Sequence, residues 1–240
     1  MSISKKIALS SLVLFCSISH ARVKLYTLFT PSHAVLFNDW FLPSISALHE
    51  YDLVLEKHDQ ECKTAEFMSP GWKKTTRRKV NLILRAIKEN WGSFFVYSDV
   101  DIQFFKSTLP AIRDALATHD MVFQQDTPEK KICTGFFACK ANQKTKIFWE
   151  MVGKIMDVFP IYSDQASVNL LLEKAEFADL SWDLLPESFL DGGALTGETW
   201  KPGDACNIPR DVILHHANYA VGVNNKIEQL KQVKNKVSGR

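Results

Sequence analysis

Phe94-Phe95-Val96-Tyr97-Ser98-Asp99-Val100-Asp101-Ile102-Gln103-Phe104-Phe105 is the stretch on which the reading of this chain turns. Its run of aromatic and β-branched residues predicts a buried strand, and the run stops at two carboxylates one residue apart. In extended chain, residues i and i+2 share a face. Asp99 and Asp101 therefore converge while Val100 turns back into the core. Two carboxylates held close repel each other, and a cation between them relieves the repulsion. Ligands of open α/β sheets bind beyond the carboxyl ends of strands. The expectation is a divalent-metal site that holds a diphosphate. Taken alone, the pair reads first as two solvated acids ending a strand; the apolar run before it and the motifs downstream change that reading.

Outward from that stretch the chain reads as alternating strands and helices. Val23 to Phe29 is a first strand. Thr30-Pro31-Ser32 breaks it, Ser32 caps a helix from near His33, and Pro43 ends or kinks that helix. Tyr51 to Glu56 is the second strand. Strand, helix, strand is the opening unit of a parallel sheet. Residues 57–78 are polar and interrupted by Ser69-Pro70-Gly71, which suggests an active-site flap. Val80, Ile83, Leu84 and Ile87 then recur at helical spacing, with Lys79 at the helix start. After the acidic pair come helices over 107–116, 144–158 and from Asp164. Strands are expected over 121–123, 134–139, 181–185 and 212–214, the last running into His215-His216. A final helix starts at Asn224, and its basic end, residues 234–240, is expected to fray.

A chain of 240 residues with 46% hydrophobic and 23% charged residues suits one globular domain. Basic residues number 29 against 27 acidic ones, and Lys5 and Lys6 account for the surplus. That balance argues against a nucleic-acid partner. Lys5-Lys6, the apolar run 7–18 and Ser19-His20-Ala21 have the layout of a secretory signal peptide cleaved after Ala21. The run is short for a membrane span. An exported domain over 22–240 follows, periplasmic, secreted or in a secretory lumen, with an uncleaved anchor as the alternative. Of the remaining cysteines, Cys133 and Cys139 share a strand, Cys62–Cys206 is a disulfide candidate, and no spacing resembles a zinc site.

Three constellations call for one explanation. Asp99-Val100-Asp101 offers two hard oxygen ligands. Val212 to Asn218 ends an apolar run in imidazoles, so a third ligand can come from a second strand end. Asp164-Gln165 opens a helix, with Asn169 four residues after Gln165. Carboxylates mixed with imidazole favour manganese over magnesium. Gly222 lets backbone approach a phosphate, and Lys226 can meet its charge. Gly135, in Thr134-Gly135-Phe136, also permits close backbone approach. Asp164 also reads as a plain helix N-cap.

In their order and spacing these segments resemble the nucleotide-diphospho-sugar transferases, glycosyltransferases of the GT-A fold similar to plant cell-wall xylosyl- and arabinosyltransferases. The resemblance spans roughly residues 23–232. It implies an α/β fold with a Rossmann-like, mostly parallel central sheet flanked by helices in a single domain. It implies transfer from a nucleotide-sugar donor, a UDP-sugar by preference, with retention of configuration. It places Asp99, Asp101 and His216 on Mn2+, with Mg2+ as the substitute. It places Gly222 and Lys226 at the diphosphate, Asp164 and Gln165 near the transferring sugar, Lys79 at a basic position before the acidic pair, and Thr27, Phe29 and Thr30 facing the base. The acceptor is left open among glycan, protein and small molecule. A haloacid-dehalogenase-like phosphotransferase is a rival, although that family wants Thr or Val where Gln103 stands. A non-catalytic sugar- or nucleotide-binding relative is another.

Overall fold

The computed structural model describes residues 22–62, 69, 71–193 and 196–239. The predicted leader and part of the predicted flap, residues 63–68 and Pro70, lie outside the described residues. Along the chain, β1 (Val23–Phe29) is followed by a 3-10 turn (Pro31–His33), α1 (Ala34–Leu36), a π turn (Phe37–Phe41) and α2 (Leu42–Ser46). Then come β2 (Tyr51–Lys57), α3 (Trp72–Glu89), β3 (Phe94–Ser98), β4 (Ile102–Phe104), α4 (Leu109–Thr118), β5 (Met121–Gln125) and β6 (Ile132–Lys140). α5 (Gln143–Val158), α6 (Asp164–Leu172), β7 (Trp182–Leu184), β8 (Phe189–Asp191), β9 (Leu214–His216) and α7 (Val223–Ser238) complete it.

Among the described residues these strands form a six-stranded sheet, in the order β2-β1-β3-β6-β5-β7, and a three-stranded sheet, β4-β9-β8. In the large sheet only β6 runs against its neighbours β3 and β5; the other pairings are parallel. The mostly parallel sheet expected from the sequence is therefore present, with one reversed strand at its centre.

Alternation along each strand divides the core in two. Leu25, Val96, Phe136 and Ala138 face one side, against α4, α7 and the small sheet. Tyr26, Phe95, Tyr97, Phe137 and Cys139 face the other, against α3, α5 and α6. On that side Tyr97, Phe137 and Trp149 form a stack with centroids 5.5 and 5.2 Å apart. This two-sided burial explains why β3 and β6 read as near-continuous apolar runs.

Several local expectations need correction. Pro43 does not end its helix. It sits in the first turn of α2, where a missing N–H costs little, and the π turn before it, with Leu42 N–H on Phe37 O, absorbs the change of register. α3 starts at Trp72, after Gly71 in the left-handed region (φ 92°), so Lys79 is buried in mid-helix and does not open it. The polar residues Thr76 and Lys79 on the buried stripe hid its first turns. Asp164 is not the N-cap of α6; the Ser163 hydroxyl accepts from Ala166 N–H at 3.0 Å. α7 stays helical to Ser238, held by buried Val233 and by Lys236 on the Cys206 carbonyl at 2.9 Å. Cys62 and Cys206 are not joined; the Cys62 sulfur lies on Ser69 Oγ instead.

α5 opens with a reciprocal cap. Asn142 Oδ1 accepts from Thr145 N–H at 3.0 Å, and Thr145 Oγ1 accepts from Asn142 N–H at 3.2 Å. Asn142→Ala should lower unfolding stability by about 1–2 kcal/mol. The measurement is the denaturant midpoint at unchanged slope; a shift under about 0.3 kcal/mol would deny the cap a role.

Candidate active site

The ends of β1, β3 and β9 and the starts of β6, α6 and α7 enclose a cavity of about 690 Å³, within the range of cofactor and substrate sites. Asp99 and Asp101 lie in the bend after β3 and line it. Tyr97, two residues before Asp99, donates its hydroxyl to Asp99 Oδ1 at 2.6 Å. Asp99 N–H bonds to Gly135 O at 2.7 Å, and Ala217 N–H to Asp101 O at 2.9 Å, so backbone from β6 and from the segment after β9 pins the bend.

Cations from three other elements converge on the pair. Lys79 Nζ, from α3, is 3.5 Å from Asp99 Oδ2 and 3.1 Å from Asp164 Oδ2, and lies over the Tyr97 ring. Lys226 Nζ, from α7, is 2.6 Å from Asp101 Oδ2 and 2.9 Å from Ala217 O. His216 Nε2, from β9, is 3.3 Å from Asp101 Oδ1. Burial, reinforced by the neighbouring Asp101 charge, pushes the Asp99 carboxyl above its usual range. At Asp101 burial acts in the same sense, but Lys226 and His216 outweigh it and hold this carboxyl well below its usual range. Burial pulls Lys79 down, yet Asp164 and Asp99 carry it above the ordinary lysine value.

One ligand atom each of Asp99, Asp101 and His216 lies within 4.8 Å of the others. This is the convergence expected from the sequence, and two carboxylates with one imidazole make a donor set suited to a hard divalent ion. Gly135 makes it possible: a Cβ there would stand 2.2 Å from His216 Cε1 and 3.1 Å from Asp99 Oδ2. The glycine is needed by the imidazole packed on it. His215 points elsewhere, buried, with burial bringing it down to about 3.

The other expected residues divide. Asp164, buried, accepts Thr134 Oγ1–H at 2.8 Å on the oxygen that faces Lys79. Gln165 Oε1 accepts Thr134 N–H at 3.2 Å. Phe29, Thr30 and Gly222 line the cavity. Asn169 lines it too, but its amide clips the Ile132 backbone, accepting and donating at 3.1 Å. Thr27 does not belong: it is fully buried, two residues short of the strand end, and outside the cavity lining.

Sequence reading missed Tyr97, Gln124, Asp126, Thr134, Asp191 and Asn218. Tyr97 was available from period-two alternation with Asp99. Asp191 ends a short apolar run, Phe189-Leu190, as Asp99 ends its own, but two residues are too few to read as a strand.

Asp126, buried in the cavity wall, accepts Asn218 Nδ2–H at 3.0 Å and Tyr219 O–H at 3.2 Å. Burial, then repulsion from Asp191, lifts its carboxyl to about 6. The folded state thus favours the neutral acid. The resulting stabilisation is complete below the unfolded pKa near 4 and is lost as pH rises through 6. Asp126→Asn should therefore gain thermal stability relative to the parent between pH 4 and 7. Melting curves of both proteins check this; a pH-independent difference would contradict it.

Comparison with known structures agrees with this layout. A glycosyltransferase involved in glycosylation of the major capsid of PBCV-1 superimposes with TM-score 0.61 at 11% identity, covering 88% of this chain and 99% of the other. GlyE of Streptococcus pneumoniae TIGR4 gives 0.55 at 9% identity over 91% of this chain and 63% of its own. The galactosyltransferase LgtC, solved with donor and acceptor sugar analogues, gives 0.50 at 12% identity over 81% and 86%. At such identities the likeness concerns the fold, which is GT-A. No curated protein matches by sequence. The family model for nucleotide-diphospho-sugar transferases matches residues 43–230, which removes the haloacid-dehalogenase alternative. With most of its length inside that match, the chain belongs to the nucleotide-diphospho-sugar transferase family of glycosyltransferases.

Proposed function

We propose that this chain transfers a sugar from a UDP-sugar donor, with retention, using Mn2+ (or Mg2+) held by Asp99, Asp101 and His216. The observation that carries the reading is the convergence of those three donor groups within 4.8 Å in a cavity that also presents Lys79 and Lys226. A divalent ion bound there supplies positive charge that stabilises the departing diphosphate.

The remaining work falls to the chain. Gly222 (φ 85°) turns the backbone into α7, whose N-terminal N–H groups favour an anion. Lys226, four residues on, lies against Asp101 and faces the charge of an incoming diphosphate. Lys79 and Thr134 clamp Asp164, and the same Lys79 ammonium reaches Asp99. A carboxylate so engaged is a weakened nucleophile and a well-oriented hydrogen-bond acceptor. Its role here is to position the donor's sugar, with Gln165 alongside. The acceptor is a glycan, a protein or a small molecule entering the same cavity.

Mn2+ and UDP together should raise the melting temperature by more than the sum of either alone. Asp101→Asn should abolish that synergy; its absence in the parent protein would undo the donor-site reading. Asp164→Asn should reduce turnover of a nucleotide-sugar hydrolysis assay by about 10²-fold or more, an electrostatic and positioning loss, while shifting UDP affinity little. Equal losses in both would deny it the positioning role.

A further inference from the structure

His216 has a second side. Its Nε2 faces Asp101, while Nδ1 points into the small sheet, 3.3 Å from Asp191 Oδ2 and 3.1 Å from Gln124 Oε1. Cys133 Sγ stands farther off at 3.7 Å. Asp191 is fully buried. Its oxygens are fixed by their own contacts: Oδ1 accepts Gly193 N–H at 2.8 Å and Oδ2 accepts Asn218 Nδ2–H at 3.2 Å. Gln124 is fixed as well, its amide donating to Phe189 O at 3.1 Å, which turns Oε1 toward the imidazole. Two oriented acceptors on Nδ1 require a proton there. Nε2 is then the one ligand atom His216 can offer the cavity, once an ion displaces the proton it turns toward Asp101 in the metal-free protein.

From this geometry we infer that Asp191, with Gln124, is a positioning residue that holds His216 in the Nδ1–H tautomer and aims Nε2 at the ion shared with Asp99 and Asp101. The inference rests on the metal site proposed above. It excludes a second cation between Cys133, Asp191 and His216, although their ligand atoms also lie within 4.8 Å of one another, because Nδ1 cannot both carry the proton and bind an ion. Partners of this kind contribute about 10–100-fold to metal affinity.

The test titrates Mn2+, followed by the EPR signal of the free aquo ion, into parent, Asp191→Asn and Asp191→Ala, with circular dichroism as the control for folding. A tenfold or larger rise in Kd for both variants at one ion per parent chain supports the assignment. Unchanged Kd in a folded variant, or two ions per parent chain, overturns it. Should neither variant fold, nitrogen-15 NMR of labelled histidine in the Mg2+-loaded parent decides: a proton on Nδ1 of His216 with Nε2 unprotonated supports it, and the reverse overturns it. A parent that takes up neither ion removes the metal reading and this inference together. Metal uptake that ignores Asp191 removes the inference alone.

Discussion

Two negative charges fixed one residue apart, at the end of a strand buried on both faces, set the terms for this molecule. At about 4 Å and an effective dielectric near 20, such a pair repels by about 4 kcal/mol. The backbone cannot relieve this, since Asp99 and Asp101 are pinned through their own N–H and C=O groups to β6 and to the residue after β9. The relief comes from Lys79, Lys226 and His216, carried by α3, α7 and β9. Elements far apart in sequence are thereby tied to one point. Removing one partner of a buried ion pair leaves the other charge uncompensated, at a cost of about 3–5 kcal/mol, so these groups are retained as a set. A diphosphate would compete with the carboxylates for the same lysines.

Much of this was legible beforehand. The apolar run into Asp99, the i, i+2 rule and the apolar run into His216 were local patterns, and local patterns survive folding. Gly135 shows the limit. It lines the cavity, as its sequence context suggested, but the space a side chain would need there is taken by the ring of His216. That contact joins positions far apart in sequence, and no spacing rule reaches so far. Lys79 failed in the opposite direction. Its helix placement was misread because a buried lysine breaks apolar periodicity, and the reason it is buried, the anions Asp164 and Asp99, lies in other elements. Short strands were lost for a related reason. β4 and β8 have three residues each, too few to show a period, and they exist because β9 pairs with both.

That small sheet also settles which histidine belongs to the cavity. In its register Ile102 and Asp191 flank His216 on the two sides of β9, while Gln103 and Leu190 flank His215. Neighbours across a ladder share a face, so His216 and Asp191 meet, and Asp101, in the bend one residue before β4, meets the same ring. Slipping the register by one residue would exchange the faces. It would bring His215, whose Nδ1 has no hydrogen-bond partner among the described residues, to the carboxylates and turn His216 to the opposite face. Identity of residue type is therefore insufficient at this position. Two adjacent imidazoles are chemically alike, and the parity of a three-stranded sheet makes one of them a ligand candidate and the other part of the core.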